Sequence, residues 1–415
     1  MAVSLSAIRN GFQRPFWIAN ITEIFERLSY YAVFSALALY LNQSLGFPSS
    51  AAATLSGIFG GAVWVMAIFG GALADRIGFR RALSTAYFIL ALAYVLVGSI
   101  GAPWLAPVRS ILPLGLLAGI ILFLPALGVA LVKPSVVGTT ARASREDVRS
   151  IGYSIYYTMV NIGSTAGPFV AGWIHAHMPP QNVFLLAATS VALMFFVVLF
   201  FYKEPRAQST EPQPSLATVA RNFGVVLSNW RFVLFLVIFS GYWIVFWQQY
   251  LILPLFLAKY VPAANSGYVL MTDPAIVITC TVLINAFTRR LPAFAAITIG
   301  TLITSLGWLI VASHASTLTA VLSLAVLALG EIIQSPRYYE YISRLAPPGQ
   351  QGTYMGFAFL PIGIGSFVGG SFGGSIFHRY CELANAPALM WSIVTGLGIA
   401  TALLLWLYDR FVRKT

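Results

Sequence analysis

Charge is what this sequence has least of. Lys and Arg number 24 and Asp and Glu 12, together 9% of 415 residues, whereas soluble domains carry about 25%. Apolar residues make up 59% of the chain, and mean hydropathy is +0.82. This excludes an ordinary soluble domain and predicts an all-α protein that crosses a membrane many times. Cysteine is almost missing. Cys280 lies inside an apolar run and Cys381 in a loop, at different expected depths, so no disulfide is expected. Histidine is scarce too, and His175, His177, His314 and His378 all fall at or beyond the same ends of the apolar runs. None is placed to relay protons in mid-membrane, and no metal-ligand spacing occurs. The first 15 residues hold Arg9 and Arg14 but no apolar core with a small-residue cleavage site, so no removable signal peptide is expected.

What charge there is has a pattern. The formal net charge is +12, yet the basic residues do not form a nucleic-acid patch. Arg76, Arg80, Arg81, Arg142, Arg145, Arg149, Lys203, Arg289, Arg290 and Arg410 fall between or beyond apolar runs, always on the same alternate side. The other side keeps few, such as Arg109, Lys259 and Arg379. This positive-inside bias predicts that the basic side and both termini are cytoplasmic, in the cell's inner (plasma) membrane. It calls for a lipid bilayer as partner and for no nucleic acid. A monomer is expected.

Twelve runs are long enough to span a bilayer, which takes about 20 helical residues. They cover approximately 16–42, 51–74, 82–101, 111–140, 150–175 and 181–202, then 231–258, 266–288, 293–312, 316–345, 353–378 and 388–409. The only long polar stretch, 203–230, separates a first six-helix bundle (1–202) from a second (231–415). Within it, Ser215 to Leu227 reads either as a short surface helix or as an unstructured tether. Pro125, Pro134, Pro168, Pro254, Pro274, Pro336 and Pro361 break or kink the runs. Gly365, Gly369 and Gly373 recur every four residues and permit close helix contact.

The first run is the least ordinary. Glu23, Glu26, Arg27, Tyr30, Tyr31 and Phe34 share one helical face, since i, i+3, i+4 and i+7 lie together. Glu26 falls roughly 15 Å from the start of the span, near mid-bilayer. Charge at that depth is expensive unless it faces a partner or a polar cavity, and it marks a functional site by default. The blander reading is a self-neutralising structural ion pair. Elsewhere, deep ionisable or polar residues are Lys133, Asn161, Gln248 beside Trp243 and Trp247, Asp273 before Pro274, and Glu331 four residues before Ser335. Such charges need a shared cavity between the halves.

Six plus six spans with a polar centre resemble the major facilitator layout, in which two bundles rock about a midplane site. The loop Gly-Ala-Leu-Ala-Asp75-Arg76-Ile-Gly78-Phe-Arg80-Arg81 is similar to that superfamily's cytoplasmic signature. The resemblance implies that Asp75, Arg76, Gly78 and Arg80 form a cytoplasmic gate. Asn285-Ala-Phe-Thr-Arg289-Arg290 is only a trace of the same pattern in the second half.

Four further motifs sharpen the resemblance. Glu23-x-x-Glu26-Arg27-Leu-x-Tyr30-Tyr31, Lys133-Pro134, Tyr156-Tyr157-x-x-x-Asn161-x-Gly163-Ser164, and Glu331-x-x-x-Ser335-Pro336 with Leu345-Ala346-Pro347 resemble, in order, segments of the proton-dependent oligopeptide transporters. The resemblance implies a twelve-helix symporter that imports short peptides or peptide-like zwitterions by alternating access, with the proton as coupling ion and no other cofactor. Glu23, Glu26, Arg27, Lys133 and Glu331 would couple protons. Arg27, Lys133 and Tyr31 would hold a carboxylate, and Glu331 and Asn161 an amino terminus. Tyr30, Trp243, Trp247, Gln248, Asp273 and Ser335 complete the expected binding set. A zwitterion needs opposed poles, and Arg27 and Lys133 in one half oppose Glu331 in the other.

The departures from the family are specific. Phe34 and Gln248 stand near the positions of an outer arginine–glutamate pair, so that ion pair is expected to be absent. Asp273 replaces an asparagine. It would strengthen amine binding or add a proton site, or else act as a helix-kink residue with a local hydrogen bond. These changes, with the missing pair of central helices, loosen the expectation of strict di- and tripeptide selectivity. A competing reading is a proton antiporter exporting drugs or metabolites. A scaffold gives no reason for mid-span charges. An enzyme is not expected, because no nucleophile or cofactor motif accompanies the carboxylates.

Overall fold

A computed structural model describes residues 11–205, 224–346 and 351–413, with every side chain there except those of residues 72, 75, 351–353 and 413. Most of the polar linker, including the start of Ser215–Leu227, lies outside the described residues.

Twelve long helices follow one another: α1 Arg14–Leu39, α2 Ser49–Ile77, α3 Phe79–Gly98, α4 Leu114–Arg142, α5 Arg149–His177, α6 Asn182–Phe201, α7 Trp230–Leu251, α8 Thr272–Thr288, α9 Ala293–Ser313, α10 Thr317–Leu345, α11 Leu360–Ile376 and α12 Pro387–Tyr408. All twelve expected spans are therefore helical. Among the described residues, ten helical segments are long and apolar enough to cross a membrane by length and composition. The two that miss this test are α1 and α5, 26 and 29 residues long. They are long enough, but they carry the polar stripes.

Proline explains where three of the helices are interrupted. Helix α7 stops at Ile252 and resumes as Leu253–Tyr260, with Pro254 in the first turn, where its missing N–H costs nothing. Ser266–Leu270 precedes α8, which restarts around Pro274, and Pro361 opens α11 after a turn at Ala358–Phe359. By contrast, Pro125, Pro134, Pro168 and Pro336 sit inside α4, α5 and α10.

The first six helices pack among themselves, α1 on α5 and α6, α2 on α4, and α3 on α4 and α6. The last six do the same, α9 on α10 and α12, and α7 on α11 and α12. The bundles meet through α2–α11, α5–α8 and α1–α7. Glycine makes the α2–α11 approach possible. A Cβ on Gly370 would lie 2.5 Å from the Ala53 carbonyl oxygen, and one on Gly57 would lie 2.5 Å from that of Ser366. Among the described residues, the hydrogen bonds joining the bundles run from Ser366 to the Gly57 carbonyl, from Asn265 to the Gly172 carbonyl and between Ser49 and Glu382. The last two lie at the end away from the basic loops. The molecule is thus joined at its far end, while nearer the basic end the bundles part around cavities.

Candidate functional site

The α1 stripe forms a compact charge cluster. Arg27 Nε donates to Glu26 Oε2 at 2.5 Å and lies 3.5 Å from Glu23 Oε1, one helical turn back. All three side chains are buried, with Arg27 only 2% exposed. They are held there because α5 comes unusually close. A Cβ on Gly163 would sit 2.5 Å from the Ile24 carbonyl oxygen and 2.7 Å from Arg27 Cβ. The Asn161-x-Gly163-Ser164 motif therefore carries a steric requirement as well as polar groups. Neither oxygen of Glu23 accepts a hydrogen bond, and Glu26 Oε1 and Arg27 Nη2 are likewise unpartnered. Tyr87, Tyr94 and Tyr156 from α3 and α5 stand within electrostatic reach of these acids. The sequence reading missed the α3 pair, whose only signal was two tyrosines seven residues apart in an apolar run.

Lys133 does not form an ion pair with Glu23 or Glu26. Its Nζ lies 4.1 Å from the centroid of the Trp64 ring and 5.1 Å from that of Phe359. Arg27 already occupies the acids, and the two ring faces offer Lys133 another favourable seat. The acids remain within longer electrostatic range. Since Trp64 belongs to α2 and Phe359 precedes α11, this cation bridges the bundles.

The opposite pole lies in the second bundle. Asp273 and Glu331 line a cavity of about 50 Å³ together with Tyr31, Asn161, Ser164 and Tyr250. Gln249 Nε2 donates to Asp273 Oδ2 at 3.2 Å, while Asp273 Oδ1 has no partner. Glu331 also lines a larger cavity, about 160 Å³, with Tyr157, Asn285, Ser335 and Tyr339. Both cavities have walls from both bundles. Arg27 and Lys133 line neither. The Tyr31 phenol is the link, in electrostatic reach of Arg27 on one side and of Glu331 and Asp273 on the other.

Four residues expected to bind a solute are packed instead. Tyr30 stacks on Phe59 at 5.5 Å inside the first bundle and lies under the Arg27 guanidinium. Trp247 donates to the Ile362 carbonyl at 3.0 Å, and Gln248 to the Gly369 carbonyl at 3.1 Å. Trp243 lies against Gly365, 8% exposed. The reason is the glycine row. Positions 365, 369 and 373 leave a groove on α11, and the face of α7 bearing 243, 247 and 248 fills it. Gln249, one residue round the helix, reaches the acid that Gln248 does not. At the expected outer ion-pair position, Phe34 stacks on Tyr250 (5.1 Å) and meets Trp247 at a tilt (5.3 Å), so rings close this region.

At the basic end, the Asp75 side chain lies outside the described residues. Arg76 and Arg80 are exposed, and Gly78 has φ +85°, a conformation that favours glycine. Glu204, missed in the sequence because it sits in the polar linker, accepts from the Phe79 and Arg80 amides at 2.8 and 3.0 Å and so caps α3. Arg80 donates to the Leu199 carbonyl at 2.6 Å. Cys280 and Cys381 are both free.

Comparison with known proteins agrees with this architecture. The family model described as Major Facilitator Superfamily matches residues 20–370. A "Multidrug resistance protein MdtH" of Aeromonas hydrophila subsp. hydrophila is 26% identical over 395 residues, covering 94% of each chain. A "Di-/tripeptide transporter" of Lactococcus lactis subsp. cremoris is 26% identical over 240 residues, covering 54% of this chain and 44% of that protein. A solved POT family transporter in complex with 5-aminolevulinic acid superposes with a TM-score of 0.78 at 17% identity, covering 95% of this chain and 96% of that one.

Proposed function

Because this chain belongs to the major facilitator superfamily, a transporter and not an enzyme, we propose that it imports short peptides or peptide-like zwitterions with protons, by alternating access. The observation that carries the reading is the pair of opposed poles. Arg27 lies within electrostatic reach of Tyr31, Lys133 sits over Trp64 and Phe359 where the bundles meet, and Asp273 and Glu331 line a cavity that Tyr31 also borders. A zwitterion's carboxylate is drawn toward the first pole and its ammonium toward the second. Such recognition addresses the ends of a solute and leaves its side chains free. The basic loops are cytoplasmic in this reading, so the hydrogen bonds joining the bundles at the far end lie on the outer side.

Coupling rests on the α1 cluster. Two acids share one arginine, and a second cation waits over the Trp64 ring. Rocking the bundles parts Lys133 from Phe359, which lets that cation move relative to the acids and so changes the proton affinity of Glu23 and Glu26. Protonating one of them frees a cation for the solute carboxylate.

Similarity to the MdtH protein along nearly the whole chain favours a second reading, proton-driven export of drugs or metabolites. Direction of flux separates the two. Proteoliposomes held acid outside are expected to accumulate labelled dialanine above equilibrium, and Glu26→Gln or Lys133→Ala to lose accumulation while keeping solute exchange. Full proton-driven accumulation in either variant would overturn the coupling role. Proton-driven efflux of an amphipathic drug, without dialanine uptake, would favour the exporter.

A further inference from the structure

We propose that Asp273 and Glu331 form a single exchange site, at which a solute ammonium takes the place of a proton. The inference rests on the reading that a solute amine seats in this cavity. It goes further by making this pole a proton-release site separate from the α1 cluster.

The two acids come from different helices, α8 and α10, and line one cavity. Unlike the α1 acids, they have no cation beside them. Among the described residues, no Lys, Arg or His forms an ion pair with either one. What faces them is phenolic and amide. Tyr31 from α1 and Tyr250 from α7 line the smaller cavity with both acids, and Tyr157 from α5 and Tyr339 from α10 line the larger one with Glu331. Gln249 supplies one hydrogen bond to Asp273 Oδ2. Asp273 is 4% exposed and lines the cavity, its carboxyl is within hydrogen-bonding reach of that of Glu331, and no N–H or hydroxyl donor reaches its Oδ1. An acid in the first turn of a helix gains from the helix dipole. That role alone would not leave a buried oxygen without a donor beside an empty space. A proton shared between the two carboxyls serves one hydrogen bond, whereas an ammonium in its place brings three N–H donors.

Charge accounting then fixes the exchange. Two neighbouring carboxyls, Asp273 buried and Glu331 half-buried, strongly disfavour ionising together without a countercharge, so the empty pair keeps one proton and a net charge of −1. An R–NH₃⁺ group is that countercharge. Once it lies between the carboxylates, the shared proton leaves to water, and the site again carries −1. No bond in the solute breaks. The net charge is the same before and after, and the desolvation of the ammonium and the second carboxylate is offset by their pairing with each other. Aromatic faces around the acids favour an organic ammonium over a small hydrated cation.

The test is calorimetric titration of the full-length protein in lipid nanodiscs, in two buffers of different ionisation heat. The probes are phenethylamine, which has an amine but no carboxylate, and dialanine. Phenethylamine is expected to bind with release of about one proton, its affinity rising up to about tenfold per pH unit. In Asp273→Asn, one acid remains to hold the amine. Binding should persist, proton release should fall to near zero, and the pH dependence should flatten. Glu331→Gln should give the same loss, which guards against a folding defect in the first variant. Unchanged proton release in both variants overturns the exchange site, as does failure of phenethylamine to bind wild type. If dialanine fails while phenethylamine behaves as stated, the peptide reading falls and the exchange site stands. If dialanine is accumulated but neither probe releases a proton through Asp273, the reverse holds.

Discussion

Arg27 is the residue on which the first cluster rests. It is buried against two acids, and removing it leaves negative charge in a low-dielectric interior with Glu23 and Glu26 unbalanced. Breaking a buried pair from one side typically costs about 3–5 kcal/mol. Arg27→Met should therefore lower the unfolding temperature of the solubilised protein clearly, and adding Glu26→Gln should recover much of the loss. Additive effects in the two variants would mean that the 2.5 Å contact is not an energetic pair. Lys133 shows the limit of reading residues one at a time. Its depth was legible from the apolar run around it. Its seat over Trp64 and Phe359 was not, because those rings come from elements 69 residues before it and 226 after it.

At the level of helices, α1 and α5 act as one unit. Gly163 and Gly167 let α1 lie almost on the α5 backbone, and that closeness fixes the height and direction of Arg27. A side chain at 163 has to displace Ile24 or Arg27. Gly163→Val should destabilise by about 1–3 kcal/mol, as overpacking does, and should abolish uptake. Gly163→Ala should be milder in both respects. Wild-type melting and uptake in Gly163→Val would refute the packing argument. Most helix limits were readable from hydropathy, prolines and glycines. The side of α7 that faces a solute was not. Nothing in Trp243, Trp247 and Gln248 says whether their face meets a cavity or the groove of α11. That depends on which rotation buries most ring surface, and the answer lies in the glycines of another helix. The same rotation brings Gln249 to Asp273, a contact without a local sequence signal.

For the molecule as a whole, the contacts joining the bundles gather toward the end away from the basic loops, with Ser49 and Glu382 hydrogen-bonded across it. If transport requires that end to open, tying it must stop transport. In a background with Cys280→Ser and Cys381→Ser, the pair Ser49→Cys and Glu382→Cys should lose uptake on oxidation and regain it on reduction. Full uptake by the oxidised protein would rule out alternating access through this seam. The twelve-helix plan was readable from the apolar runs along the chain, while the seam was not, since it is made by backbone approach at Gly57 and Gly370 and by hydrogen-bonding residues far apart in sequence. Helices α1 and α5 are less apolar than the ten other spans, and the fewer apolar residues a segment has, the less readily it passes from the translocation channel into lipid unaided. They are each other's neighbours, yet three helices are synthesised between them. The opening helix must therefore wait, sheltered in the insertion machinery or at the headgroups, until its late-made companion arrives, so biogenesis of this chain cannot proceed strictly one helix after another.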